Sequence, residues 1–109
     1  MPTPSNKIIS NEGIKIKLTN KIKIGGIILE VILDKHLASA EDKFGECDRM
    51  RGRIVIDETQ PNDHKEVALI HEIIEVINGE YELDLEHRHI TSLASCLYQV
   101  LKDNKISFE

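Results

Sequence analysis

The chain has no tryptophan, and aromatic residues make up only 4% of its 109 residues. Single-stranded nucleic acids are held by exposed rings on which bases stack, and this sequence has few rings to offer. It also lacks a positive balance. The formal charge is −5, the wrong sign for a surface that tracks phosphates. No run approaches the roughly 18 apolar residues that read as a membrane span. The first residues, Met-Pro-Thr-Pro-Ser-Asn-Lys, lack the apolar core of a secretory signal. A cytoplasmic protein that binds neither nucleic acid nor membrane is expected. Only two cysteines are present, Cys47 and Cys96, in segments that read as different elements. In a reducing compartment they are expected as free, buried thiols.

What is present suffices for one folded domain. Apolar residues make up 40% of the chain and charged residues 30%, enough to fill a core. A second domain would leave each half too small to bury one. Charge is unevenly placed: residues 1–35 hold six lysines against three acidic residues, and the remainder holds eight basic and sixteen acidic. The lysines alternate with isoleucine, the pattern of a strand with one solvated face.

Residues 1–13 carry two prolines and Asn-Glu-Gly and read as a flexible leader. The domain is expected over 14–104, with 105–109 as a C-terminal tail. Ile14, Ile16 and Leu18 alternate with lysines before a turn at Thr19-Asn20, and Ile22 and Ile24 do the same before Gly25-Gly26. Ile27 to Leu33 is a nearly continuous β-branched run, expected to be covered on both faces or central in a small sheet. Residues 35–46 read as a loop with at most one helical turn. Glu46 to Met50 and Arg53 to Asp57 flank Arg51-Gly52 as a hairpin. Asp63 followed by Glu66 resembles a capping box and Asn78-Gly79 a stop, bracketing a helix of about four turns. Glu80 to Leu85 is a linker. A second helix from Glu86 to Asp103 presents Ile90, Leu93, Ala94, Leu97, Val100 and Leu101 on one face. The expected fold is α+β: a small, mostly antiparallel sheet of about four strands, with two helices packed on one face.

In the first helix Val67, Ile70, Ile73, Ile74 and Ile77 form the expected buried stripe, and His71 and Glu75 fall together at its border. Side chains at i and i+4 project side by side, close enough to share one Zn²⁺, while Glu72 points to the neighbouring side. Glu86-His87-Arg88-His89 is the obvious source of a third ligand. His87 shares a face with Ile90, Ala94 and Leu101 and is preferred. His89 is the alternative, with Glu86, Glu80 and Glu82 behind. A lone histidine beside a core stripe is ordinarily structural, but here His, Glu and a Glu four residues on coincide with a later His cluster. His64 reads as a surface residue and His36 has no partner pattern. Asp48 is a turn former or the support of a site group, and Cys47 a small apolar filler. Tyr81 and Arg88 have structural readings as good as a role in binding an oxyanion.

His71-Glu72-Ile73-Ile74-Glu75 resembles the zincin motif H-E-x-x-H with Glu in place of the second His. With the Gly-Gly hairpin, the Gly45-Glu46-Cys47-Asp48 turn, the strand Arg53 to Asp57 and the second helix, it is similar to compact metallopeptidase-like domains of bacteriophages and mobile elements. Those in turn resemble the anti-repressor metallopeptidases that cut repressors, and the likeness covers roughly residues 14–104. It implies a zincin-like fold, a zinc held by His71, Glu75 and one later His, and Glu72 as the general base that takes a proton from water. It also implies a protein or peptide substrate such as a repressor-like protein, pairing as a strand with an edge at residues 53–57. A scaffold that keeps the fold and binds a protein partner without catalysis is the rival from another class.

Overall fold

The computed structural model describes residues 21–37, 44–106 and 108. The expected leader and the strand over 14–18 lie outside the described residues, as do 38–43 of the expected loop. Four strands and two helices follow in the order β1 (Lys21–Ile24), β2 (Ile27–Asp34), β3 (Gly45–Asp48), β4 (Arg53–Asp57), α1 (Asn62–Glu80) and α2 (His87–Asp103).

The sheet order is β1-β2-β4-β3. β1 pairs antiparallel with β2, placing Lys21 opposite Glu30, and β3 pairs antiparallel with β4. Both hairpin turns use a glycine at positive φ, Gly25 at 58° and Gly52 at 67°, where a Cβ would clash with the backbone. The third pairing, β2 with β4, is parallel and sets Val31 beside Ile54 and Leu33 beside Ile56. The result is a small mixed sheet in an α+β fold. Because β4 lies between β2 and β3, both of its edges are already paired. The expected docking edge at 53–57 is therefore corrected: among the described strands the free edges belong to β1 and β3.

Period-2 alternation turns Leu29 and Val31 of β2 and Ile54 and Ile56 of β4 to one face, where they join Ile24 and, from α1, Leu69 and Val76 in the main core. The opposite side of α1 carries Ile70, which meets Ala94 and Tyr98 of α2, flanked by Val67, Ile74 and Leu101. α1 is thus wedged between the sheet and α2. A single stripe misses half of that burial: Leu69 and Val76 are core residues, and Val67, Ile73, Ile74 and Ile77 are only partly buried. On α2, Leu93, Leu97 and Val100 are exposed, because the helix meets α1 along the narrower line of Ala94, Tyr98 and Leu101, with Ile90 buried on the same face.

The expected capping box at Asp63 and Glu66 does not form. α1 starts after Pro61 with no side-chain cap. Glu66 is fully buried and accepts a hydrogen bond from the Tyr98 hydroxyl at 2.5 Å, and Lys102 Nζ donates to that hydroxyl at 2.9 Å. α2 does have a capping box, made by Glu86 and His89. Both cysteines are free thiols as expected but not fully buried: Cys47 is half-buried and Cys96 exposed. Among the described residues no helix is long and apolar enough to cross a membrane.

Candidate metal centre

The spacing of α1 puts His71 and Glu75 one turn apart on one edge, and the linker of residues 81–86 returns the chain so that α2 begins beside them. His71 Nε2 lies 3.3 Å from Glu75 Oε2, and His87 Nδ1 lies 3.5 Å from the same oxygen. The two imidazole rings stand 4.9 Å apart, tilted by 58°. One ligand atom from each residue falls within 4.8 Å of the other two, so the group could hold a metal ion. The spacing suits a small cation. Four ligands at ~2.1 Å in a tetrahedron stand about 3.4 Å from one another, close to the two His to Glu distances.

Burial pushes the His71 imidazole below its ordinary value of 6.5. The Glu75 carboxylate opposes that shift, and His87 reinforces it. His71 is therefore held towards the neutral form, whose ring nitrogen keeps a lone pair for a cation. The side chain of His87 is 76% exposed, so the group opens to solvent on the α2 side.

Glu72, next to His71, is buried and turned to β3. A Cβ on Gly45 would lie 3.2 Å from Glu72 Oε2, so a larger residue there would require the carboxylate to give way by a few tenths of an ångström. Cys47, two residues further along β3, feels the same group. Its thiol is pushed up first by burial and then by the Glu72 and Glu75 carboxylates. With Glu46, Asp48, Arg49, Met50 and Glu80 it lines an open cleft of about 590 Å³ beside the C-terminal half of α1. The edge position of β3 among the described strands and this cleft had no signal in the residue pattern beyond Gly45 itself.

The other candidates are engaged elsewhere. His89 Nδ1 accepts the backbone N–H of Glu86 at 3.2 Å in the cap of α2. Glu86 pairs with Arg88 at 2.7 Å, and Glu80 with Arg49 at 2.8 Å. Glu82 is exposed on the linker. Asp48 is a turn former: it accepts from the Arg51 N–H at 3.1 Å and from its guanidinium at 2.9 Å, which holds its carboxyl below the usual range. Tyr81 is exposed, with its hydroxyl lying over Gly25. His64 is exposed at the start of α1, and the exposed His36 donates its backbone N–H to Asp34 at 2.7 Å.

Comparison with protein-family models, with curated proteins and with solved structures finds no match to this chain, so the chemistry of the site rests on its own residues.

Proposed function

We propose that the chain is a zinc-dependent metallopeptidase-like protein that hydrolyses a peptide bond in a protein substrate. It would be of the kind carried by phages and mobile elements and work in the cytoplasm, with a repressor-like protein as the expected target. The observation that carries this reading is the convergence of His71, Glu75 and His87, with Glu72 following His71 in α1. Two imidazoles and one carboxylate form the His₂Glu donor set of catalytic zinc, so Glu75 in place of a second motif histidine keeps the set complete. Bound there, zinc supplies a Lewis acid for the scissile carbonyl and for water.

The chain's own residues do the rest. Glu72 is the proton carrier: its carboxylate takes a proton from the attacking water and returns it to the leaving amine. It is rotated ~100° around the helix from His71, whereas Glu75 is only ~40° away, so Glu72 borders the metal group without joining it. β3 lies at an edge of the sheet among the described strands, where a substrate strand would pair, and Gly45 on it touches Glu72.

One observation favours a second reading. Glu72 is only 8% exposed, which restricts water at its carboxylate and suits a scaffold that binds a partner without cutting it. Element analysis after dialysis against zinc, on wild type and on His71→Ala and His87→Ala, tests the metal. One zinc per chain is expected for wild type, and wild-type content in His71→Ala would refute the site. Glu72→Gln tests the chemistry: zinc and fold stay, and cleavage of repressor-like or generic peptides is lost. Cleavage by neither protein, with zinc in both, makes the scaffold the better reading.

A further inference from the structure

The edge of α1 that carries His71 and Glu75 carries a third polar side chain one turn further on, Asn78, which belongs to no ligand group. Its carboxamide meets the returning chain. The Leu85 N–H donates to Asn78 Oδ1 at 2.9 Å, and Asn78 Nδ2 donates to the Leu85 carbonyl at 3.2 Å. The amide thus satisfies both backbone groups of Leu85, as a neighbouring strand would. The backbone carbonyl of Asn78 also accepts the Leu83 N–H at 3.1 Å.

Leu85 is two residues before His87, in a stretch with little burial of its own. Residues 81–84 are exposed and Leu85 is only partly buried. The linker backbone also takes an uncommon path: Glu82 at φ 51° and Asp84 at φ 62° sit in the left-handed region without being glycine. Such angles are uncommon outside glycine, and the two Asn78–Leu85 bonds, together with the Leu83 N–H on the Asn78 carbonyl, restrain the stretch that holds them. His87 is not fixed by packing either, since most of its side chain is in solvent. Its place opposite Glu75 is inherited from the backbone that delivers it.

We infer that Asn78 is a positioning residue for the metal group: by gripping Leu85 it sets where α2 begins and so holds His87 beside Glu75. This rests on reading His71, Glu75 and His87 as metal ligands. It predicts an effect on metal binding by a residue that contributes no metal ligand, acting wholly through one that does.

The test is zinc affinity, measured by competition with a chromophoric chelator, for Asn78→Ala, His87→Ala and the double variant, with urea unfolding to confirm that each is folded. Asn78→Ala is expected to weaken zinc binding ~10- to 100-fold, the usual cost of losing a group that orients a ligand. The double variant is expected to bind no more weakly than His87→Ala, because the carboxamide has nothing left to position. The visible spectrum of bound Co²⁺ in Asn78→Ala should resemble that of His87→Ala and differ from wild type. Asn78→Gln, which keeps both amide atoms on a longer stem, guards against an unfolded alanine variant and should fall between Ala and wild type. Wild-type affinity in both Ala and Gln variants, or losses that add in the double variant, would overturn the inference. His71→Ala separates the two layers. If it keeps wild-type zinc the metal reading itself fails, and if it loses zinc while Asn78→Ala does not, only the positioning role fails.

Discussion

Removing one oxygen, in Tyr98→Phe, should cost this protein more than most core truncations of similar size. The Glu66 carboxylate is completely buried, its Oε2 has no hydrogen-bond partner among the described residues, and its Oε1 is held by the Tyr98 hydroxyl at 2.5 Å. A hydrogen bond to a charged group contributes about 1.5–3 kcal/mol, and stripping the partner from a buried charge costs about 3–5 kcal/mol. Lys102, which donates to the same hydroxyl from the surface, can swing towards Glu66 and recover part of that. The expected loss is therefore about 2–3 kcal/mol. With a urea dependence of about 1.5 kcal/mol per molar, the unfolding midpoint should fall by roughly 1.3–2 M. The partner variant sharpens the test. Glu66→Leu combined with Tyr98→Phe removes both ends and leaves an apolar contact between the helices, which should restore most of the loss. A single variant within about 0.5 kcal/mol of wild type, or a double variant no better than the single, would refute the reasoning.

Three further outcomes can be measured. In metal-free protein, the depressed His71 ionisation makes the folded chain bind fewer protons than the unfolded one just below pH 6.5. Stability should then be lost as pH falls through that window, and urea titrations at stepped pH should show the slope in wild type and not in His71→Ala. Gly45→Ala forces a Cβ to 3.2 Å from Glu72 Oε2 and 3.4 Å from Ile56 Cδ1, and should cost about 1 kcal/mol. If the proposed peptidase reading holds, displacing Glu72 should also depress cleavage with zinc content unchanged. Asp84→Gly relieves a positive φ of 62° and should leave the thermal midpoint equal or slightly higher, whereas Asp84→Val should lower it, by calorimetry.

The residue pattern reveals the elements well and their arrangement less well. β1, β2 and β4 show as alternating or continuous β-branched runs, and both helices end within two residues of where their periods do. The i, i+4 pair His71 and Glu75 is legible because its geometry is local to one helix. Burial on α1 was half legible, since a hydrophobic stripe assumes one buried face and this helix has two. Glu66 looks like a cap in sequence because it follows Asp63 by three residues, and only the approach of α2 makes it the partner of Tyr98. The choice of His87 over His89 and the interior place of β4 depend on how the linker and the crossover run, which residue periodicity does not encode. Asn78 reads as a stop signal, and its actual role depends on where Leu85 returns.

The wedge position of α1 ranks the two halves of the molecule by how easily each comes loose. α2 is seated chiefly on α1, through Ala94, Tyr98 and Leu101, whereas α1 is also anchored to the sheet. Among the described elements, detachment of α2 is therefore expected to be an easy partial opening, with its amide hydrogens exchanging ahead of those of α1. Such an opening carries His87 away from Glu75. An ion that requires all three groups binds only the closed form and, at a hundred times its dissociation constant, adds about 2.7 kcal/mol to the cost of this opening. Filled by such an ion, the site would act as a latch: this seam should open about a hundredfold less often than in the metal-free protein.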